Sequence, residues 1–142
     1  MTEATPFQVR VTVRGYELDR QGHLNQAVYL QYAEHARWAC LQAAGIAQDR
    51  LIADGIGPVT LEVTVRFQRE LRVGDEVDVT CAAVWGEGRT FTLEQEFRRP
   101  DGTAVASLNS RTGLLDLRER RLVEDPAARF RKLATNAEIL GL

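Results

Sequence analysis

The chain predicts an α+β domain in which one long helix covers the single apolar face of a five-stranded antiparallel sheet. Three observations lead there. Several segments alternate apolar and polar residues with the period of a half-buried strand, and one stretch alone keeps the helical period over several turns. Short turn signals separate the later strands, which therefore pair as antiparallel neighbours. One helix cannot cover both faces of such a sheet, and the alternation offers it one apolar face.

The elements follow in order. Phe7, Val9, Val11 and Val13 alternate with Gln8, Arg10, Thr12 and Arg14 as a first strand, which Gly15 breaks. A loop through Asp19, Gly22 and His23 follows. From about Gln26 to Ala44 the period turns helical, with Tyr29, Ala33, Ala36, Cys40 and Ala43 or Ala44 on one stripe. Six alanines in this stretch let the helix axis lie close against a sheet, and Gly45 is the expected C-terminal stop. A short helical turn is expected around Gln48 to Ala53. Val59, Leu61, Val63, Val65 and Phe67 then alternate with polar residues as a long strand. Val73-Gly74-Asp75 turns the chain into Glu76 to Trp85, and Gly86-Glu87-Gly88 into Arg89 to Arg98. Pro100-Asp101-Gly102 is a hairpin signal before a last strand from about Thr103 to Leu117. The run Arg118-Glu119-Arg120-Arg121 reads as a solvated end. Asp125-Pro126 caps a short helix to about Leu133, and the last nine residues carry no pattern.

At 142 residues this reads as one domain over 1–142, with a core at about 7–117 and a C-terminal extension at 118–142. Eighteen basic against twenty acidic residues give a charge of −2, hence no bulk attraction to nucleic acid or an anionic membrane. The polar N-terminus and the lack of a long apolar run point to a cytoplasmic protein. Cys40 and Cys81 sit in apolar runs without metal-ligand spacing and are expected as buried free thiols.

The chemistry concentrates in Asp19-Arg20-Gln21-Gly22-His23-Leu24-Asn25, an acid, a glycine, an imidazole and an amide directly ahead of the helix. A carboxylate there joins a base or nucleophile to a helix N-terminus that can hold negative charge. On their own, Asp19 is a turn residue, His23 a packed or solvent-facing histidine and Asn25 a helix cap. Glu34 and Arg37 are expected to form an ion pair.

The pattern Asp19-x-x-Gly22-His23-x-Asn25, with Tyr29-x-x-Tyr32-x-Glu34-x-Ala36-Arg37 and Leu71-x-Val73-Gly74-Asp75, resembles the hotdog-fold acyl-CoA thioesterases of the 4-hydroxybenzoyl-CoA thioesterase-like group. The loop is also similar to the Asp-x-Asn-x-His-x-Asn pattern of plant acyl-carrier-protein thioesterases, with Gln21 in place of the asparagine. The resemblance implies a sheet wrapped around one central helix and hydrolysis of an acyl thioester to free acid and thiol. It implies Asp19 as nucleophile or general base, with His23 and Asn25 as helpers. A backbone N–H near Gln26 becomes the oxyanion donor, and Gly22 and Tyr29 contact substrate. It further implies a homodimer or homotetramer, an acyl-CoA or acyl-carrier-protein substrate, and no metal or cofactor beyond the coenzyme A of the substrate. An apolar residue often replaces His23 in the branch acting on aromatic thioesters, so this chain sits nearer the broader acyl branch.

The proposed chemistry suits one carboxylate. A thiolate with an ordinary pKa of about 8.5 leaves without a strong general acid. Competing readings are an acyl-thioester dehydratase or hydratase using Asp19 and His23, and a non-catalytic acyl-thioester-binding protein.

Overall fold

The computed structural model describes residues 6–142. Its strands are β1 (Phe7–Thr12), β2 (Ile56–Phe67), β3 (Glu76–Trp85), β4 (Thr90–Arg98), β5 (Ala104–Asp116) and the two-residue β6 (Arg121–Leu122). Its helices are α1 (Gln26–Ala43), α2 (Gln48–Ala53) and α3 (Pro126–Leu133), with 3-10 turns at Gly15–Glu17 and Ala137–Leu140. The sheet order is β1-β3-β4-β5-β2, antiparallel throughout, with β6 on β5 beyond the reach of β4. The helix packs on one face of the sheet, as expected from the sequence, and lies against β1 and β3.

Burial explains the helix register. Tyr29, Tyr32, Ala33, Ala36 and Cys40 are the buried residues of α1, and both Ala33 and Ala36 are wholly covered. Tyr29 and Ala33 pack with Val77, Val79, Phe97 and Leu108 in one cluster. A second cluster gathers Cys40, Ala44, Leu51, Cys81, Phe91 and Leu114 with Phe130, Leu133 and Leu140 from the C-terminal segment. Gly45 ends the helix as expected, with φ of +88°. Cys40 and Cys81 are buried, free and in contact; the hydrogen bond to Cys40 and burial push the Cys81 thiol up.

Four readings need correction. The alternation from Val59 to Phe67 looks unbroken, yet the β2–β5 register shifts between Thr60 and Glu62. Pro58 faces Leu114 and Thr60 faces Thr112, whereas beyond the bulge Val63 faces Ser110 and Val65 faces Leu108. The bulge thus moves the inward face from even to odd positions. Glu34 and Arg37 make no ion pair: Glu34 is exposed, and Arg37 turns toward the sheet, where its Nη1 donates to Gln95 Oε1 at 3.2 Å. The run at 118–121 is not merely a solvated end, because it turns the chain into β6. Leu122 then lies over Gly113, where an added Cβ would stand 2.6 Å from its Cδ2. The last residues are not patternless in three dimensions either: the Trp85 indole N–H donates to Leu140 O at 2.7 Å, and Leu140 is buried.

Candidate active site

The site is built around a tight turn. Asp19 N donates to His23 O at 2.7 Å and Gly22 N donates to Asp19 O at 3.1 Å, while Leu18 and Leu24 form an isolated antiparallel bridge. Gly22 takes φ of +80° with open space where a Cβ would be. Glycine is needed there for its backbone conformation and not for close packing.

Inside this turn the Asp19 carboxylate is held by its own backbone. Oδ1 accepts from Gln21 N at 2.8 Å and from His23 N at 3.1 Å. Those N–H donors, His23 first, hold the carboxyl below the ordinary aspartate value, against the opposing effect of partial desolvation. Oδ2 has no protein hydrogen-bond partner among the described residues.

Asn25 caps α1: its side chain accepts from Ala27 N at 3.0 Å, and its carbonyl accepts from Val28 N. Its side-chain oxygen is committed to the helix. The cap leaves the Gln26 N–H as the first-turn donor with no acceptor among the described residues. Leu24 N donates to Leu71 O at 2.7 Å, tying this loop to the segment after β2.

That tie completes an open depression. Asp19, His23, Leu24, Asn25, Gln26 and Tyr29 line one side, and Phe67, Gln68, Arg69 and Glu70 the other. Every side chain expected at the site is therefore gathered in one place, and Gly22 shapes it from the turn. Tyr29 is only 3% exposed and meets Phe67 and Phe97 edge-on at 5.0 and 5.4 Å, so it forms the apolar floor. Burial raises its phenol pKa. His23 Nε2 lies 3.1 Å from Glu70 Oε2, which fixes the ring against the opposite wall.

Sequence reasoning missed Glu70 and Phe67. They come from beyond the helix, in a stretch without a motif, and only the long exposed end of β2 hinted at them. Arg72 and Arg99 converge on Glu70: Arg72 Nη2 donates to its carboxylate at 2.9 Å and Arg99 Nη2 to its carbonyl at 2.9 Å. Arg72, first of these, keeps the Glu70 carboxyl below its ordinary value. Also missed was a buried support behind the turn. The Tyr32 hydroxyl donates to Glu17 Oε1 at 2.6 Å, and Arg14 N donates to the same oxygen at 2.9 Å. Burial and the Glu17 carboxylate push the Tyr32 phenol well above its usual range. Among the described residues no cluster of three metal-ligating side chains occurs, and no helix is long and apolar enough to cross a membrane.

Comparison with known proteins bears on the family and the fold. The long-chain acyl-CoA thioesterase FadM of Escherichia coli is 29% identical over 116 residues, covering 81% of this chain and 87% of that protein. The chloroplastic acyl-acyl carrier protein thioesterase ATL3 of Arabidopsis thaliana is 39% identical over 69 residues, or 49% of this chain. The aligned part spans only 36% of that plant relative. The crystal structure of YbaW, a probable thioesterase from Escherichia coli, superposes with a TM-score of 0.81 at 25% identity, covering 94% of this chain and 98% of that one. A family model described as the thioesterase-like superfamily matches residues 13–133. The match begins just past β1 and ends at the last residue of α3, so it takes in every element that forms the depression, and the chain belongs to the thioesterase-like superfamily.

Proposed function

We propose that this thioester hydrolase acts on acyl-CoA, with Asp19 and the first turn of α1 as its reacting groups. The observation that carries the reading is that Gln26, whose N–H has no acceptor among the described residues, and Asp19, whose Oδ2 has no partner among them, line the same depression. A preorganised N–H at the positive end of a helix stabilises an oxyanion as it develops; losing one such donor typically removes about 3–4 kcal/mol of transition-state stabilisation. Asp19 Oδ2 attacks the thioester carbon or draws the proton from a water that does. The carbonyl oxygen takes the electron pair and rests on Gln26 N–H. Collapse of the adduct breaks the C–S bond and expels the thiolate, which takes up a proton. Where Asp19 itself attacks, the acyl group is left on Oδ2 as an anhydride, and a water then cleaves it to the free acid and restores the carboxylate.

His23, held by Glu70, orients the attacking water or the carbonyl. Asn25 acts by fixing the helix end, and Gly22 by permitting the turn. Tyr29 and Phe67 receive the first carbons of the acyl group. Arg69, Arg72 and Arg99 form a cationic rim suited to the phosphates of coenzyme A. The same rim would suit an acidic carrier protein, and the identity shared with a plant acyl-carrier-protein thioesterase favours that second reading for the acyl donor. FadM, a long-chain acyl-CoA thioesterase, supports the first over most of the chain. The edge strand β2 leaves Leu61, Val63 and Phe67 exposed, which supports a dimer or tetramer built along it.

The test is thiol release from short, long, branched and aromatic acyl-CoAs, run beside acyl-carrier-protein thioesters. Release that disappears in a folded Asp19→Asn variant supports the reading. Full turnover in that variant, or hydration of an enoyl-CoA without thiol release, overturns it.

A further inference from the structure

Cys40 on α1 and Cys81 on β3 are the chain's two cysteines, and the proposed hydrolysis uses neither. A thiol buried among apolar side chains is ordinarily inert. Three observations set this pair apart. The two side chains meet, with the Cys81 S–H donating to the Cys40 sulfur, so each thiol has the other as its neighbour. Both line one cavity of about 120 Å³, although each residue is only 4% exposed. Arg37, just ahead of Cys40 on the helix, lines the same cavity, and its charge favours a thiolate at Cys81.

Each of these bears on reactivity. The hydrogen bond from Cys81 holds the Cys40 thiol below its ordinary value, against the opposing effect of burial. The same contact and burial push Cys81 up, so Cys40 is the readier nucleophile and Cys81 keeps its proton. The cavity offers about ten times the space that one water molecule needs, which admits a peroxide to both sulfurs. The backbone is suited as well. Ala33 and Ala36 are wholly covered and let α1 settle close on β3, and a disulfide needs such closeness, with its Cα atoms within about 7 Å.

We infer that Cys40 and Cys81 form a redox modification site, which hydrogen peroxide converts to an intramolecular disulfide tying α1 to β3. The Cys40 thiolate attacks one peroxide oxygen and the O–O bond breaks. The departing hydroxide takes the proton that Cys40 gave up, leaving water and a sulfenic acid on Cys40. The Cys81 sulfur then attacks the Cys40 sulfur, with the Arg37 charge steadying the negative charge that develops on it. The S–O bond breaks, and the Cys81 proton leaves with the hydroxide as a second water. Two thiols and one peroxide thus give one disulfide and two waters, the sulfurs oxidised and the peroxide reduced.

The test needs no substitution, because the chain holds no other thiol. The folded protein is treated with hydrogen peroxide, then unfolded and alkylated with iodoacetamide. The expected product is a single chain lighter by two hydrogens that takes up no alkyl group, and dithiothreitol restores both alkylation sites. A tryptic digest is expected to join the peptide 38–50 to the peptide 73–89. Cys81→Ser removes the second thiol and stops the sequence at the sulfenic acid, so dimedone is expected to label Cys40. In Cys40→Ser the label on Cys81 is expected to form at least about tenfold more slowly. Full alkylation after peroxide, a disulfide between two chains, or sulfinic or sulfonic acid at either cysteine overturns the inference. Faster labelling of Cys81 than of Cys40 overturns the assigned order of attack. Mass is read without turnover, so the outcome does not depend on whether Asp19 is catalytic.

Discussion

At Asp19 the turn sets both the position and the basicity of the carboxylate. Two backbone N–H groups occupy Oδ1 and hold the carboxyl below its ordinary value, so it remains ionised to lower pH than a free aspartate does. If the carboxylate is the active form, the acid limb of kcat/KM lies below the ordinary aspartate pKa of about 3.9. Asp19→Asn is expected to lower kcat by about 100-fold or more, measured by thiol release. Gly22→Ala forces a side chain into a left-handed conformation at a cost of about 1–2 kcal/mol, and by loosening the turn moves the acid limb upward. A pH–rate profile unmoved by Gly22→Ala would show that the turn does not tune Asp19. Asp19, Gly22, His23, Asn25 and Gln26 were legible in the sequence because they lie within one short stretch. Glu70 was not, because its relation to His23 exists only after β2 has folded back beside the loop.

At the scale of elements, α1 is the part on which the site depends. Its head carries the free Gln26 N–H, its flank the Tyr32–Glu17 contact that braces the turn, and its small residues the close approach to β3. Tyr32→Phe removes a buried hydrogen bond to a carboxylate and is expected to lower stability by about 1.5–3 kcal/mol, read from the shift in urea midpoint. Ala36→Leu forces bulk into a fully covered position and is expected to cost about 1–3 kcal/mol, with the helix lifted from the sheet. An Ala36→Leu protein as stable as the parent would contradict the packing argument. The helix bounds and the α2 and α3 segments were readable from periodicity and caps. The β2 bulge was not, because apolar residues continue at every second position through it. Only the partner strand reveals that Thr60 and Val63 share a face. β6 escaped for a related reason: two residues are too few to show a period.

The molecule as a whole is a sheet with two unequal edges. β1 is anchored by Arg10, whose guanidinium donates to both carboxylate oxygens of Asp78 on β3 at 2.8 and 3.1 Å. The other edge, β2, presents Leu61, Val63 and Phe67 at 42%, 40% and 51% exposure. A second copy seated there would cover them, and Val63→Lys is expected to shift the protein toward monomer in sedimentation velocity. An unchanged sedimentation coefficient would remove β2 from the assembly. The fold class was legible because one helical period among alternating segments leaves few ways to bury a single apolar face. The strand order was not, since β2 crosses past three strands to pair with β5, and alternation carries no information about partners. That crossing bears on how the chain is made. As the polypeptide leaves the ribosome, β1, β3 and β4 can pair once residue 98 has emerged, but β2 has no partner until β5 follows. Each nascent chain therefore passes through an interval in which β2 is bare along both edges, and crowded translation exposes it to its neighbours at its stickiest moment.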